Sequence, residues 1–122
     1  MKIRILDNSI RLRLDRDEVD RIGAGEQVEA VTNFPDGSAF RYALGSHADG
    51  DTSAAFQQGC IRLSIARSEA QDWAADDTRV AITGAQTVTN GDLRLLIEKD
   101  FECLDPREGE DQSNRFRNPK AG

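Results

Sequence analysis

Residues 10–22, IRLRLDRDEVDRI, lie without a gap over residues 61–73, IRLSIARSEAQDW. Ile10, Arg11 and Leu12 fall on Ile61, Arg62 and Leu63; Leu14 falls on Ile65, Arg16 on Arg67, Glu18 on Glu69 and Ile22 on Trp73. With one residue inserted, Val28 meets Val80. Further on, Phe40–Leu44 meets Leu93–Ile97, each after a turn, PDGS in the first half and TNGD in the second. A period near fifty residues reads as an internal duplication. It constrains the fold strongly, because each half must make the same elements and neither has enough apolar residues to close a core alone.

The elements follow from local patterning. Lys2–Ile5 and Ile10–Leu14 alternate charged and apolar residues with period two, as half-buried strands do. Between them, Asp7 and Asn8 tolerate the left-handed backbone of a tight hairpin. Asp15 and Glu18 have capping-box spacing, Val19 and Ile22 share one helical face, and Gly23 and Gly25 end the helix. Strands over 27–34 and 40–44 flank the turn Pro35–Ser38, and a polar linker runs from Gly45 to Asp51. The second half predicts strands over 54–57 and 60–66, a helix over 68–75, and strands over 79–88 and 93–99. In each half the strand enters its helix without a loop, with Asp15 or Ser68 as the capping side chain.

The expected fold is therefore α+β. Two tandem ββαββ units, about 2–44 and 54–99, are related by a pseudo-twofold axis. They form one antiparallel sheet or a partial barrel with two short helices. Residues 1–104 make a single domain, and residues 105–122 form an extended acidic and polar tail, with Phe116 placed to pin it to the body.

The 122 residues carry a net charge of −6, which argues against a dedicated nucleic-acid binder or a binder of acidic membranes. No apolar run approaches the ~18 residues that span a bilayer. The N-terminus is charged at every second or third residue, unlike a secretory signal. The expected location is the cytoplasm, where Cys60 and Cys103 remain thiols. An exposed strand edge makes a homodimer the expected assembly, if the chain self-associates at all.

Two constellations carry possible chemistry. A two-residue turn at Asp7-Asn8 sets Arg4 opposite Arg11 and Lys2 opposite Arg13, on one face of the hairpin. Like charges directly opposite are unfavourable. Either carboxylates such as Glu29, Glu98 or Glu102 interleave with them, or the face binds an anion, for which Arg forks are suited. The second half keeps only Arg62 of these four cations. The other constellation is Cys103 among carboxylates. With Asp100, Asp105 and the single histidine, His47, it supplies donors for a divalent metal. Its spacing matches no established metal motif, and a small buried cysteine beside an acidic tail explains it equally. HADGDTS (47–53) has a passing likeness to a cation loop but lacks the full spacing and the terminal Glu. Trp73 reads as a core anchor. No nucleophile elbow or phosphate loop is present.

KIRILDNSIRLRL, FRYAL, DWAADD and LRLLIEKDFECLD, with EDQSNRFRNP near the end, resemble a family of small uncharacterised bacterial proteins. The resemblance runs through nearly the whole chain. It implies a bacterial cytoplasmic protein in which the tail is part of the pattern and docks on the body, and it implies no activity, cofactor or site residue. The residues themselves point first to a non-enzymatic binding or adaptor module. Its basic face of Lys2, Arg4, Arg11 and Arg13 would meet an anionic ligand, an acidic protein or its own tail. A divalent-metal protein built on Cys103, and an enzyme acting on a small anionic substrate, are the alternatives.

Overall fold

The computed structural model describes residues 1–48 and 50–100. Its elements are β1 (Lys2–Ile5), β2 (Ser9–Leu14), α1 (Arg16–Gly23), β3 (Val28–Asn33), β4 (Ala39–His47), β5 (Ser53–Gln57), β6 (Cys60–Ala66), α2 (Arg67–Ala75), β7 (Ala81–Val88) and β8 (Gly91–Lys99). The order strand, strand, helix, strand, strand occurs twice. The expected linker gives up its first three residues to β4. The expected tail, 105–122, lies outside the described residues.

Among the described residues the expected single antiparallel sheet does not form, and where a partial barrel was the alternative no barrel closes. The strands divide into two four-stranded sheets, β1-β2-β8-β7 (sheet A) and β3-β4-β6-β5 (sheet B). Each contains one hairpin from each half of the chain. The two hairpins of a sheet meet through a parallel pair, β2 with β8 and β4 with β6. The reason is geometric. A helix follows the second strand of each half and carries the chain away from the sheet it leaves. The next hairpin therefore pairs elsewhere, and the half's two hairpins end in different sheets.

Corresponding pairs recur in register. Leu12 faces Ile97 in sheet A, and Leu63 faces Leu44 in sheet B. Arg4 faces Arg11, and Ala55 faces Arg62. Asp7 and Gln58, at the same place in their hairpin turns, both adopt left-handed backbone, at φ +49° and +51°. In the third strand of each half the register moves the match from Val80 to Ile82. Val28 pairs with Leu44 as Ile82 pairs with Ile97, and Val28 and Ile82 are both buried.

One core joins both sheets and both helices. Ile10, Leu12, Leu14, Leu95 and Ile97 enter it from sheet A, and Leu44, Ile61, Leu63 and Ile65 from sheet B. Val19, Ile22, Ala70 and Trp73 cover it from the helices. Full burial of each large aliphatic side chain contributes roughly 1.5–3 kcal/mol before ordering costs. Trp73 is fully buried, and its indole N–H donates to the Val80 carbonyl at 3.1 Å.

The helices begin differently. Asp15 closes a full capping box with Glu18: each side chain accepts from the other's backbone N–H at 3.0 Å. The second oxygen of Glu18 takes the Met1 ammonium at 2.6 Å. In α2 the N-cap position is Ala66, which offers no side chain, so Ser68 does not cap; it sits inside the first turn. Strand β6 runs through Ala66 and the helix starts at Arg67, two residues earlier than Ser68 would require.

Candidate functional site

Period-two alternation sends Ile10, Leu12 and Leu14 inward and Ser9, Arg11 and Arg13 to the outer face of sheet A. Pairing then lines those residues up in rows across the sheet. Lys2, Arg13, Glu98 and Ala81 form one row; Arg4, Arg11, Leu96 and Thr83 the next; Ser9, Arg94 and Ala85 a third. The expected cross-strand pairs, Lys2 with Arg13 and Arg4 with Arg11, are both present.

Much of the like-charge conflict is relieved within the sheet. Glu98 reaches between two arginines: Arg11 Nε donates to its Oε1 at 2.5 Å and Arg13 Nε to the same oxygen at 2.6 Å. Lys2 Nζ lies 3.3 Å from the carboxylate of Asp100, which is itself largely buried. Glu98 is one of the three carboxylates that the sequence offered for this role. Glu29 serves the other sheet, pairing with Arg41 at 3.5 Å.

Arg4 and Arg94 are different. Both are exposed, and neither guanidinium has an ion-pair or hydrogen-bond partner among the described residues. Together with Arg11 they rim a concavity of about 640 Å³, to which Leu6 and Leu96 bring apolar side chains. A smaller depression of about 270 Å³ adjoins it between Lys2, Arg4, Arg11 and Arg13. Five cations (Lys2, Arg4, Arg11, Arg13, Arg94) stand against three carboxylates (Asp92, Glu98, Asp100), an excess of two positive charges in a protein of net −6. Low-dielectric walls beneath such a patch focus its field and attract anions.

Arg94 was not among the expected site residues. Its signal was present: Arg94, Leu96 and Glu98 occupy alternate positions of β8, so one face of that strand had to carry all three. What the sequence lacks is that β8 lies beside β2.

The outer face of sheet B offers a comparison. Arg62 and Arg41 stand where Arg11 and Arg94 stand in sheet A, yet both have partners, Gln27 at 3.3 Å for Arg62 and Glu29 for Arg41. Cys60 occupies the place of Ser9 there as a free, half-buried thiol.

The donors proposed for a metal are not brought together in what is described. His47 ends β4 in sheet B, whereas Asp100 follows β8 in sheet A and is held by Lys2. Cys103 and Asp105 lie outside the described residues, as does Asp49 of the loop that resembles a cation site. Among the described residues no three His, Cys, Asp or Glu side chains gather closely enough to hold an ion. The half-buried Ser46 and His47 each keep one enclosed polar atom, Oγ and Nδ1, without a hydrogen-bond partner among the described residues.

Lys99 is the most enclosed lysine or arginine among the described residues. It is 2% exposed, its ammonium donates to the Asp76 carbonyl at 2.7 Å, and it lies 5.9 Å from the Trp73 ring centre. Burial pulls its pKa below the ordinary lysine value, partly offset by Asp77 and Asp76. Its place inside the fold marks it as a structural group, since a buried ammonium must find a partner.

No helix among the described residues is long and apolar enough to cross a membrane. The profile of DUF7009, described as a family of unknown function, matches residues 1–120. The chain belongs to this family. The match extends twenty residues past Asp100, so the segment after β8 is part of the DUF7009 unit. No curated protein and no solved structure matches the chain.

Proposed function

We propose that this DUF7009 protein is a non-enzymatic binding module, and that the outer face of sheet A takes an anionic ligand bearing an apolar group. The observation that carries the reading is the pair Arg4 and Arg94. They are exposed and unpaired among the described residues, and they flank an apolar concavity. Elsewhere on the same face Glu98 and Asp100 already neutralise cations, so the free valence is local. Guanidinium forks select carboxylate, sulfonate or phosphate oxygens. The apolar side chains of Leu96 and Leu6 reward an apolar body attached to that anion.

The dye 1-anilinonaphthalene-8-sulfonate is a suitable probe, with neutral N-phenyl-1-naphthylamine as its uncharged counterpart. Fluorescence titration should give tighter binding of the sulfonate, weakened at least tenfold in the Arg4→Gln/Arg94→Gln variant. Equal affinity for the two dyes, or indifference to the double substitution, would remove the reading.

We also propose that the two halves arose by duplication, in a bacterial cytoplasmic protein. The recurring registers, such as Arg4 with Arg11 and Ala55 with Arg62, support this, as does the equivalent placing of Asp7 and Gln58. On that view the unpaired arginines, one from each half, are a departure of sheet A from the shared plan. Sheet B retains the paired state.

A further inference from the structure

We infer that the basic concavity has an occupant within the chain itself, the acidic stretch 101–111. This inference rests on the anion-binding reading above and adds its regulation. The stretch begins where β8 releases the chain. Asp100 is already engaged there, its backbone N–H donating to the Leu14 carbonyl at 2.8 Å and its carboxylate facing Lys2 at 3.3 Å. The first acid after the strand thus meets the first cation of the face.

Charge and reach agree. Residues 101–111 contain Glu102, Asp105, Glu108, Glu110 and Asp111 against Arg107, a net of −4, beside a face with an excess of +2. The basic residues of the segment come later, at Arg115, Arg117 and Lys120, so its two signs are segregated. Eleven residues reach up to about 35 Å. From Asp100 back to Arg94 is six residues of strand, roughly 20 Å. The stretch is therefore long enough to reach the concavity from Asp100. Phe101 and Leu104 supply the apolar part that its floor favours. Because the family match continues to residue 120, this segment is a feature of the family unit and not an appendage to it.

The consequence is competition. An occupant tethered a few residues away acts at an effective concentration in the millimolar range. An external anion must displace it, so its apparent affinity falls by the occupied fraction. Salt weakens the tethered contact as well as the external one.

The test keeps the full chain and neutralises the segment, with Glu102→Gln, Asp105→Asn, Glu108→Gln, Glu110→Gln and Asp111→Asn together. Binding of 1-anilinonaphthalene-8-sulfonate should tighten about fivefold to twentyfold. The backbone amide signals of Arg4, Thr83, Arg94 and Leu96 should shift between the wild-type and neutralised chains. Those shifts should vanish when the same neutralisation is made in the Arg4→Gln/Arg94→Gln background. A synthetic peptide of sequence 101–111 should compete with the dye on the neutralised chain. Unchanged amides and unchanged dye affinity, with the dye still dependent on Arg4 and Arg94, would overturn self-occupancy and leave the site standing. Loss of that arginine dependence would overturn the site itself.

Discussion

Glu98→Gln separates the two duties of the basic face, because it should move stability and anion affinity in opposite directions. In the wild-type chain one Glu98 oxygen accepts from Arg11 at 2.5 Å and from Arg13 at 2.6 Å. Charge-assisted bonds contribute at most ~1.5–3 kcal/mol each when shielded. Here the arginine side chains are 31% and 42% exposed, so solvent screening reduces the pair to about 1–2 kcal/mol in total. Glutamine keeps an acceptor but loses the charge, and Arg11 and Arg13 are left closer to open repulsion. The melting temperature should fall by roughly 3–8 °C.

The same substitution removes a negative charge one row from Leu96, about 7 Å along the strand. At an effective dielectric between 20 and 80 that charge repels a bound anion by roughly 0.6–2.4 kcal/mol. Screening at ordinary ionic strength trims this to about a threefold to tenfold gain in affinity. Differential scanning calorimetry and dye titration on the same preparation read both quantities. A variant that loses stability and also binds the dye more weakly would show that Glu98 organises the site, and would refute the electrostatic reasoning.

Three further perturbations probe the frame that holds this face. Asp15→Ala should cost about 1 kcal/mol by opening the capping box, whereas Ala66→Asp should gain ~0.5–1 kcal/mol by giving α2 the cap it lacks, both read by urea unfolding. Gly23→Ala places a methyl 2.5 Å from Ala74 Cβ where the helices meet. Overpacking of ~1–3 kcal/mol should outweigh the helix-propensity gain of up to about 1 kcal/mol, and Ala74→Gly should rescue it in a double-mutant cycle. Lys99 has a lowered pKa, so the unfolded chain holds its proton more tightly than the folded one. Its burial cost should disappear as pH rises through the folded value towards 10.5, and is fully present below. Thermal melts at pH values rising towards 10.5 should show this rise in the wild-type chain and not in Lys99→Met.

The hairpins, both helices and the cross-strand arginines were legible because their causes are local. Alternation fixes which face Arg4 and Arg11 share, and Asp7-Asn8 fixes their register. Sheet partnership was not legible, because it depends on contacts such as Leu12 with Ile97, set by packing across more than eighty residues of chain. That gap also hid Arg94, whose strand is far from β2 in sequence. The third strand was misaligned for another reason. Val80 and Ile82 are both β-branched and two apart, so they satisfy the same alternation, and only the pairing of Ile82 with Ile97 tells them apart. Ser68 misled as a cap because Ser-x-x-x is compatible with several helix starts, and where β6 ends decides among them.

The exchange of hairpins between sheets also sets an order of assembly during synthesis. All four strands of sheet B are complete once residue 66 has been made, while sheet A must wait for β8. Until then β1 and β2 form an isolated hairpin, which is marginal in water by itself. When β8 arrives it enters as an interior strand, joining β2 on one side and β7 on the other. The strand that carries Arg94, Leu96 and Glu98 is thus the keystone laid last, so a ribosome-bound chain has no basic concavity until β8 has cleared the exit tunnel.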